Sequence, residues 1–191
     1  MPTKLSRLTT DDLPAALPGL TDTLHASVHD GASVGFVLPF PRAEAERFWT
    51  QRVFPAVRSS DTALFAALRD GEVIGTVQLG LAMMPNQPHR ADVAKMLVHP
   101  DHRRKGLARD LMAMLLDHAR GLGKTLLVLD TRSGDPAQSL YRQAGFEIAG
   151  EIPGYCRNPF SDRFESTTYM YKVLSGDGDS KKPLPPQGAF R

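Results

Sequence analysis

The chain has 191 residues with 23 Lys and Arg against 21 Asp and Glu, a net charge of +2, and is 41% hydrophobic, which excludes a fibrous or wholly disordered chain and makes nucleic acid or a membrane surface an unexpected partner. At roughly 150 residues per domain, this length argues for one domain that buries roughly 70% of its surface in a single core. One cysteine, Cys156, excludes an intramolecular disulfide framework and Cys-rich zinc sites, and the absence of an apolar segment after Lys4 and Arg7 predicts a cytoplasmic protein.

Leu5 and Leu8 flank polar residues in a short opening strand. Thr10-Asp11-Asp12 then supplies N-cap chemistry for a helix running toward Val28, interrupted by Pro14 and Pro18 and ended by Gly31. Ser33 to Pro41 is apolar but broken by Gly35, Pro39 and Pro41, so it reads as a loop, with the aromatic Phe36 a candidate pocket wall and packing on the core the alternative. Ala45, Phe48, Trp49 and Val53 recur near helical spacing and predict one amphipathic helix from Ala43 to Val57. Strands Thr62 to Arg69 and Glu72 to Leu81 are joined by Asp70-Gly71, which tolerates the positive φ of a type I′ turn. After a connection from Met83 to His89, Ala91 to Val98 returns as a strand. Leu107, Leu111, Met114, Leu115 and His118 line one face of a helix closed by Gly121 and Gly123, and Thr125 to Leu129 follows as a strand, giving a parallel crossover. Ser133-Gly134-Asp135-Pro136 opens a short helix to Ala144, and Phe146 to Ile152 and Thr167 to Val173 close as strands. Ser175 to Arg191 has almost nothing to bury and reads as a disordered extension of a domain covering residues 1–174. The expected fold class is α/β: a mixed, mostly antiparallel central sheet with one β-α-β crossover, flanked by helices.

Arg103-Arg104-Lys105-Gly106-Leu107-Ala108 stands between the strand ending at Val98 and the helix face starting at Leu107. A helix N-terminus presents unpaired N–H groups and the positive end of a dipole, and a glycine lets a phosphate approach the backbone, so this segment reads as a pyrophosphate cradle. A solvated basic turn is the plainer alternative. Gly123-Lys124-Thr125 is no P-loop, because the pattern needs glycine where His118 stands and a helix where Leu126 to Leu129 reads as strand.

Taken in order, Leu97-Val98-His99-Pro100, Arg103-x-x-Gly106-x-Ala108 and Ala137-x-x-Leu140-Tyr141-x-x-x-Gly145-Phe146, the last two about 30 residues apart, resemble the acetyl-CoA signature of the GNAT superfamily of N-acetyltransferases. Leu129-Asp130-Thr131 and Gly150-Glu151-Ile152-Pro153-Gly154-Tyr155 are further similar to its tabtoxin-resistance branch, whose members acetylate a small amino-acid-like toxin. The resemblance implies that backbone groups of Met96, Leu97 and Val98 meet the pantetheine of acetyl-CoA, and that N–H groups of Arg103, Arg104, Lys105, Gly106, Leu107 and Ala108 hold its pyrophosphate. Ala137 and Tyr141 complete the donor side, and Phe36, Asp130 and Tyr155 are the acceptor-side candidates. One position departs from the pattern: where many relatives have an asparagine on pantetheine, this chain has Gly134, leaving Ser133 or Asp135 as substitutes.

Acetyl transfer needs an amine that has lost its proton and an acid for the departing thiolate. The resemblance makes Tyr141 the acid, a phenol protonated at neutral pH, against the alternative of a core tyrosine with a satisfied hydroxyl. Asp130, at the carboxyl end of a parallel strand, is the candidate to bind the ammonium or take its proton through water, with a turn-capping role as the alternative. Asp92 and Glu72 are further candidate bases, His99 and His102 read as turn residues, and Cys156 reads as a small hydrophobe. No metal site is expected. The leading function is transfer of acetyl from acetyl-CoA to a primary amine of a small molecule by direct attack in a ternary complex. Its rivals are a protein or peptide acetyltransferase and a non-catalytic CoA-binding sensor. A sheet edge near the C-terminus that needs covering points to a homodimer.

Overall fold

The computed structural model describes residues 3–174, and the expected tail lies outside the described residues. Seven strands form one sheet in the order β1-β2-β3-β4-β5-β7-β6, with β1 Lys4–Leu8, β2 Thr62–Arg69, β3 Glu72–Gly80, β4 Arg90–Val98, β5 Leu126–Arg132, β6 Glu147–Arg157 and β7 Phe164–Val173. Neighbours run antiparallel except β4 and β5, which the helix α4 (Leu107–Gly121) connects. Both faces are covered. Leu107, Leu111, Met112, Leu115 and Ala119 of α4 pack with Phe65, Val77, Leu127 and Met170 on one side. On the other, α1 (Leu13–His29), α2 (Arg42–Phe48), α3 (Phe54–Arg58) and the turn between α2 and α3 bury Leu20, Leu24, Trp49 and Phe54 against Leu64, Ala66 and Leu97. Each such side chain contributes roughly 1.5–3 kcal/mol when fully buried.

The Asp70-Gly71 turn takes positive φ at both residues, 53° and 85°, as its residue types predict. Three local expectations are corrected. Pro18 lies inside α1 without interrupting it, and Pro14 sits in its first turn, where a missing N–H costs nothing. The helix expected from Ala43 to Val57 is divided by a π-helical turn, Trp49–Val53, which buries both Trp49 and Val53. β5 continues past Leu129 to Arg132 because β7 pairs with it along that whole length.

α1 approaches the sheet so closely that a Cβ at Gly19 would stand 2.6 Å from the Val73 nitrogen and 2.8 Å from its carbonyl oxygen. Backbone cannot yield as a side chain can. Gly19→Ala is therefore expected to cost about 1–3 kcal/mol by overpacking and to lower the melting temperature by roughly 3–10 °C. A thermal melt that stays within about 1 °C of the parent contradicts this packing.

Candidate active site

Among the described residues, pairing between β4 and β5 covers only Arg90↔Leu126, Ala91↔Leu127 and Asp92↔Val128. Beyond Asp92 the strands part, which frees the β5-facing backbone edge of the rest of β4. Strand N–H and C=O groups without a partner strand offer a template for an extended, amide-bearing ligand. The parting opens a cleft of about 970 Å³, lined from β4 by Met96, Leu97 and Val98, from β5 by Asp130, and from α5 (Ala137–Gln143) by Ala137 and Tyr141.

One end of the cleft is the start of α4. Arg104 and Gly106 both take left-handed backbone, φ 60° and 80°, and Gly106 is the N-cap. Left-handed residues in such a turn direct successive N–H groups into one concavity, next to the first helical N–H groups, which have no carbonyl a turn earlier to pair with. Arg103, Arg104, Gly106, Leu107 and Ala108 line the cleft, together with Arg109. The basic side chains divide their work. The Arg103 guanidinium pairs with the Asp30 carboxylate at the end of α1 and donates to the Val98 carbonyl at 3.2 Å, so it ties this loop to α1 and β4. Lys105 donates to the Asp101 carbonyl at 3.1 Å and is not among the lining residues, and Arg109 pairs with Asp110 at 3.2 Å, so Arg104 is the lining cation of this segment without an ion pair among the described residues.

Tyr141 is 7% exposed, its ring edge-on to Phe146. Burial raises its phenol well above the ordinary value, and the charges of Asp135 and Asp130 add to the rise. Its hydroxyl has no hydrogen-bond partner among the described residues, although the residue lines the cleft. A core tyrosine with a satisfied hydroxyl would look different.

Asp130 faces the cleft just past the last β4–β5 pair and accepts a hydrogen bond from Thr167 Oγ1 at 3.2 Å. Tyr169, its register partner on β7, shares a 2.8 Å hydroxyl contact with Tyr155, which also lines the cleft. That contact and burial push the Tyr169 phenol up to about 12. Burial also raises the Asp92 carboxyl above its usual range, against the pull of Arg90 and with a further rise from the Asp130 charge. Asp92 is not itself a lining residue. Glu72 sits at the exposed β2–β3 turn, and His99 faces Asp22 of α1, with Nε2 3.3 Å from its carboxylate.

Three candidates are occupied elsewhere. Phe36 does not line the cleft; it packs on Phe40 and Phe48 in the core beneath α1 and α2. Ser133 bonds to Thr168 Oγ1 at 2.8 Å and is likewise not a lining residue. Asp135 does line it, but one carboxylate oxygen accepts from the Ala137 nitrogen at 2.9 Å and the other pairs with Arg132 at 2.9 Å. Sequence reasoning misses Lys95, a half-buried lysine of β4 that lines the cleft. Its signal is that it stands as the lone cation within the apolar run Val93 to Val98. Among the described residues no cluster of three His, Cys, Asp or Glu could hold a metal ion, and no helix is long and apolar enough to cross a membrane.

One short parallel pair, a freed strand edge and a helix N-terminus thus meet at the same cleft, beside a carboxylate and a phenol. Residues 26–146 match the model of the acetyltransferase (GNAT) family, and the chain belongs to that family, whose acyl donor is acetyl-CoA. It is similar to an L-methionine sulfoximine/L-methionine sulfone acetyltransferase of Pseudomonas aeruginosa, with 30% identity over 73% of this chain and 79% of that one. A shorter stretch, 29% of this chain and 33% of the relative, is 40% identical to the L-amino acid N-acyltransferase MnaT of Escherichia coli. Among solved structures, an acetyltransferase of Acinetobacter baylyi superposes with a TM-score of 0.76 at 17% identity over 97% of each chain. The yncA acetyltransferase of Salmonella typhimurium, solved with acetyl-CoA, gives 0.71 at 19% identity over 98% of this chain and 100% of its own. At these identities the structural likeness speaks for the fold.

Proposed function

We propose that the protein transfers acetyl from acetyl-CoA to the primary amine of a small, amino-acid-like molecule by direct attack in a ternary complex. The observation that carries this reading is the meeting, in one cleft, of the freed β4 edge, an N–H concavity at α4, an unpartnered Tyr141 hydroxyl and the Asp130 carboxylate. Acetyl-CoA supplies an activated acetyl thioester. Met96, Leu97 and Val98 would hold its pantetheine amides by strand addition, and N–H groups from Arg103 to Ala108 its pyrophosphate. The protein partners of Ser133 and Asp135 speak against either one taking over the asparagine contact that Gly134 lacks.

Asp130 would hold the acceptor ammonium and pass its proton to solvent. Tyr141, kept protonated by burial, would donate to the sulfur as negative charge develops there. Names of the relatives that act on methionine sulfoximine, methionine sulfone and amino acids support the acceptor class over a peptide. A cleft with both an acid and a carboxylate at its acceptor end speaks against a sensor without turnover. The reading extends to a cytoplasmic protein and to a homodimer. β6 is an eleven-residue strand at the sheet's edge, with Ile148 and Ile152 about half exposed, and pairing with a second copy would cover it. Sedimentation at micromolar concentration is expected to give a dimer, and a lone monomer contradicts it.

The test is release of CoA thiol from acetyl-CoA across amino acids, polyamines, aminoglycosides and peptides, with mass spectrometry of the product. Turnover confined to small amines with an N-acetyl product is expected; tight CoA binding without turnover on any amine leaves the sensor. Asp130→Asn is expected to raise the KM for the amine roughly tenfold or more, since a hydrogen bond to a charged group contributes about 1.5–3 kcal/mol, and to leave the KM for acetyl-CoA unchanged. An unaltered amine KM contradicts its assignment.

A further inference from the structure

Resting on the acyl transfer just proposed, we infer that Lys95 is the specificity-determining residue that binds the carboxylate of the acceptor, so that the site takes zwitterionic amino acids in preference to amines without an acid group. β3 and β4 are out of step at this point: Thr76 and Gln78 face Leu97 and Ala94, so β4 carries one extra residue there. Lys95 lies in this bulge with φ 51°, left-handed backbone that a lysine within a strand rarely adopts. Such conformations persist where the surroundings over-determine them, and the bulge re-aims a side chain that regular pairing would place elsewhere.

The re-aimed side chain lines the cleft, as Asp130 does from the other strand, and its ammonium lies 5.7 Å from the centroid of the Phe48 ring. Among the described residues it has neither an ion-pair nor a hydrogen-bond partner, although it is only partly exposed. Burial lowers its pKa; Asp130 opposes that shift and Arg52 adds to it. A half-buried cation with no ion-pair partner among the described residues gains from an incoming anion. The acceptor end therefore presents a carboxylate on β5 and an ammonium on β4, one for each charge of an α-amino acid. The Lys95 ammonium opposes a polyamine, which would bring only positive charge. This matters because a spermidine N(1)-acetyltransferase of Escherichia coli is also a relative, at 25% identity over 58% of this chain.

The experiment compares kcat/KM for matched pairs, L-methionine sulfone with its decarboxylated amine and L-ornithine with putrescine, in the parent, Lys95→Met and Lys95→Arg. The parent is expected to favour the carboxylate member of a pair by at least about tenfold. Lys95→Met is expected to erase that ratio by raising the KM of the carboxylate member about 10- to 100-fold, with kcat changed less; Lys95→Arg keeps most of the ratio. Melting curves that coincide for the three proteins place the effect at the site. A parent without carboxylate preference, or a Lys95→Met that lowers both members of a pair equally, overturns the assignment and leaves acyl transfer standing. A parent that acetylates no member of either pair overturns the reading of an amino-acid-like acceptor, and this inference with it.

Discussion

Tyr141→Phe is expected to lower kcat by at least tenfold while the KM for acetyl-CoA and the melting temperature stay near their parent values. General acid catalysis is typically worth about 10²–10⁴-fold, and water entering the cleft recovers part of it. The substitution removes one oxygen and keeps the ring that packs on Phe146, so the core to which Tyr141 belongs is preserved. Because the hydroxyl has no protein partner among the described residues, its removal strands no buried donor or acceptor. A structural tyrosine would give the opposite pattern, lost stability with little change in rate. Near-parent kinetics, on an amine whose chemical step is rate-limiting, contradict the acid role and leave the fold and the donor site untouched.

Gly106→Glu is expected to abolish CoA binding in calorimetry, a rise in Kd of about 100-fold or more. Three effects coincide there. A side chain at φ 80° is strained by about 1–2 kcal/mol, it adds bulk at the N-cap of α4, and its carboxylate repels a diphosphate held there. Gly106→Ala carries the strain without the charge and is expected to bind several-fold more weakly. Arg104→Ala is expected to weaken binding only a few-fold, because the backbone rather than that side chain forms the cradle. Parent-like CoA affinity in Gly106→Glu contradicts the cradle assignment.

Features whose causes are local in the chain are legible in the amino-acid sequence. The Asp70-Gly71 turn, the α4 face from Leu107 to His118 and the basic loop that opens α4 all depend on residues within a turn or two of each other. What escapes a sequence reading depends on distant partners. Nothing near Arg103 reveals that Asp30, on another helix, captures its guanidinium, or that Thr168 captures Ser133. Phe36 reads as a pocket wall from its loop composition, yet Phe40 and Phe48 draw it into the core. Lys95 is visible as an odd charge in an apolar strand, but its aim into the cleft follows from a bulge set by pairing with β3.

Direct transfer between two substrates bound together has a competitor in Cys156. That thiol lines the cleft, 3.4 Å from Ser33 Oγ, where an acetyl group could in principle rest between donor and acceptor. Initial rates measured over a grid of acetyl-CoA and amine concentrations separate the two routes. Double-reciprocal lines that intersect are the predicted result; parallel lines, with an acetyl group found on Cys156 when acetyl-CoA is supplied without amine, would contradict it.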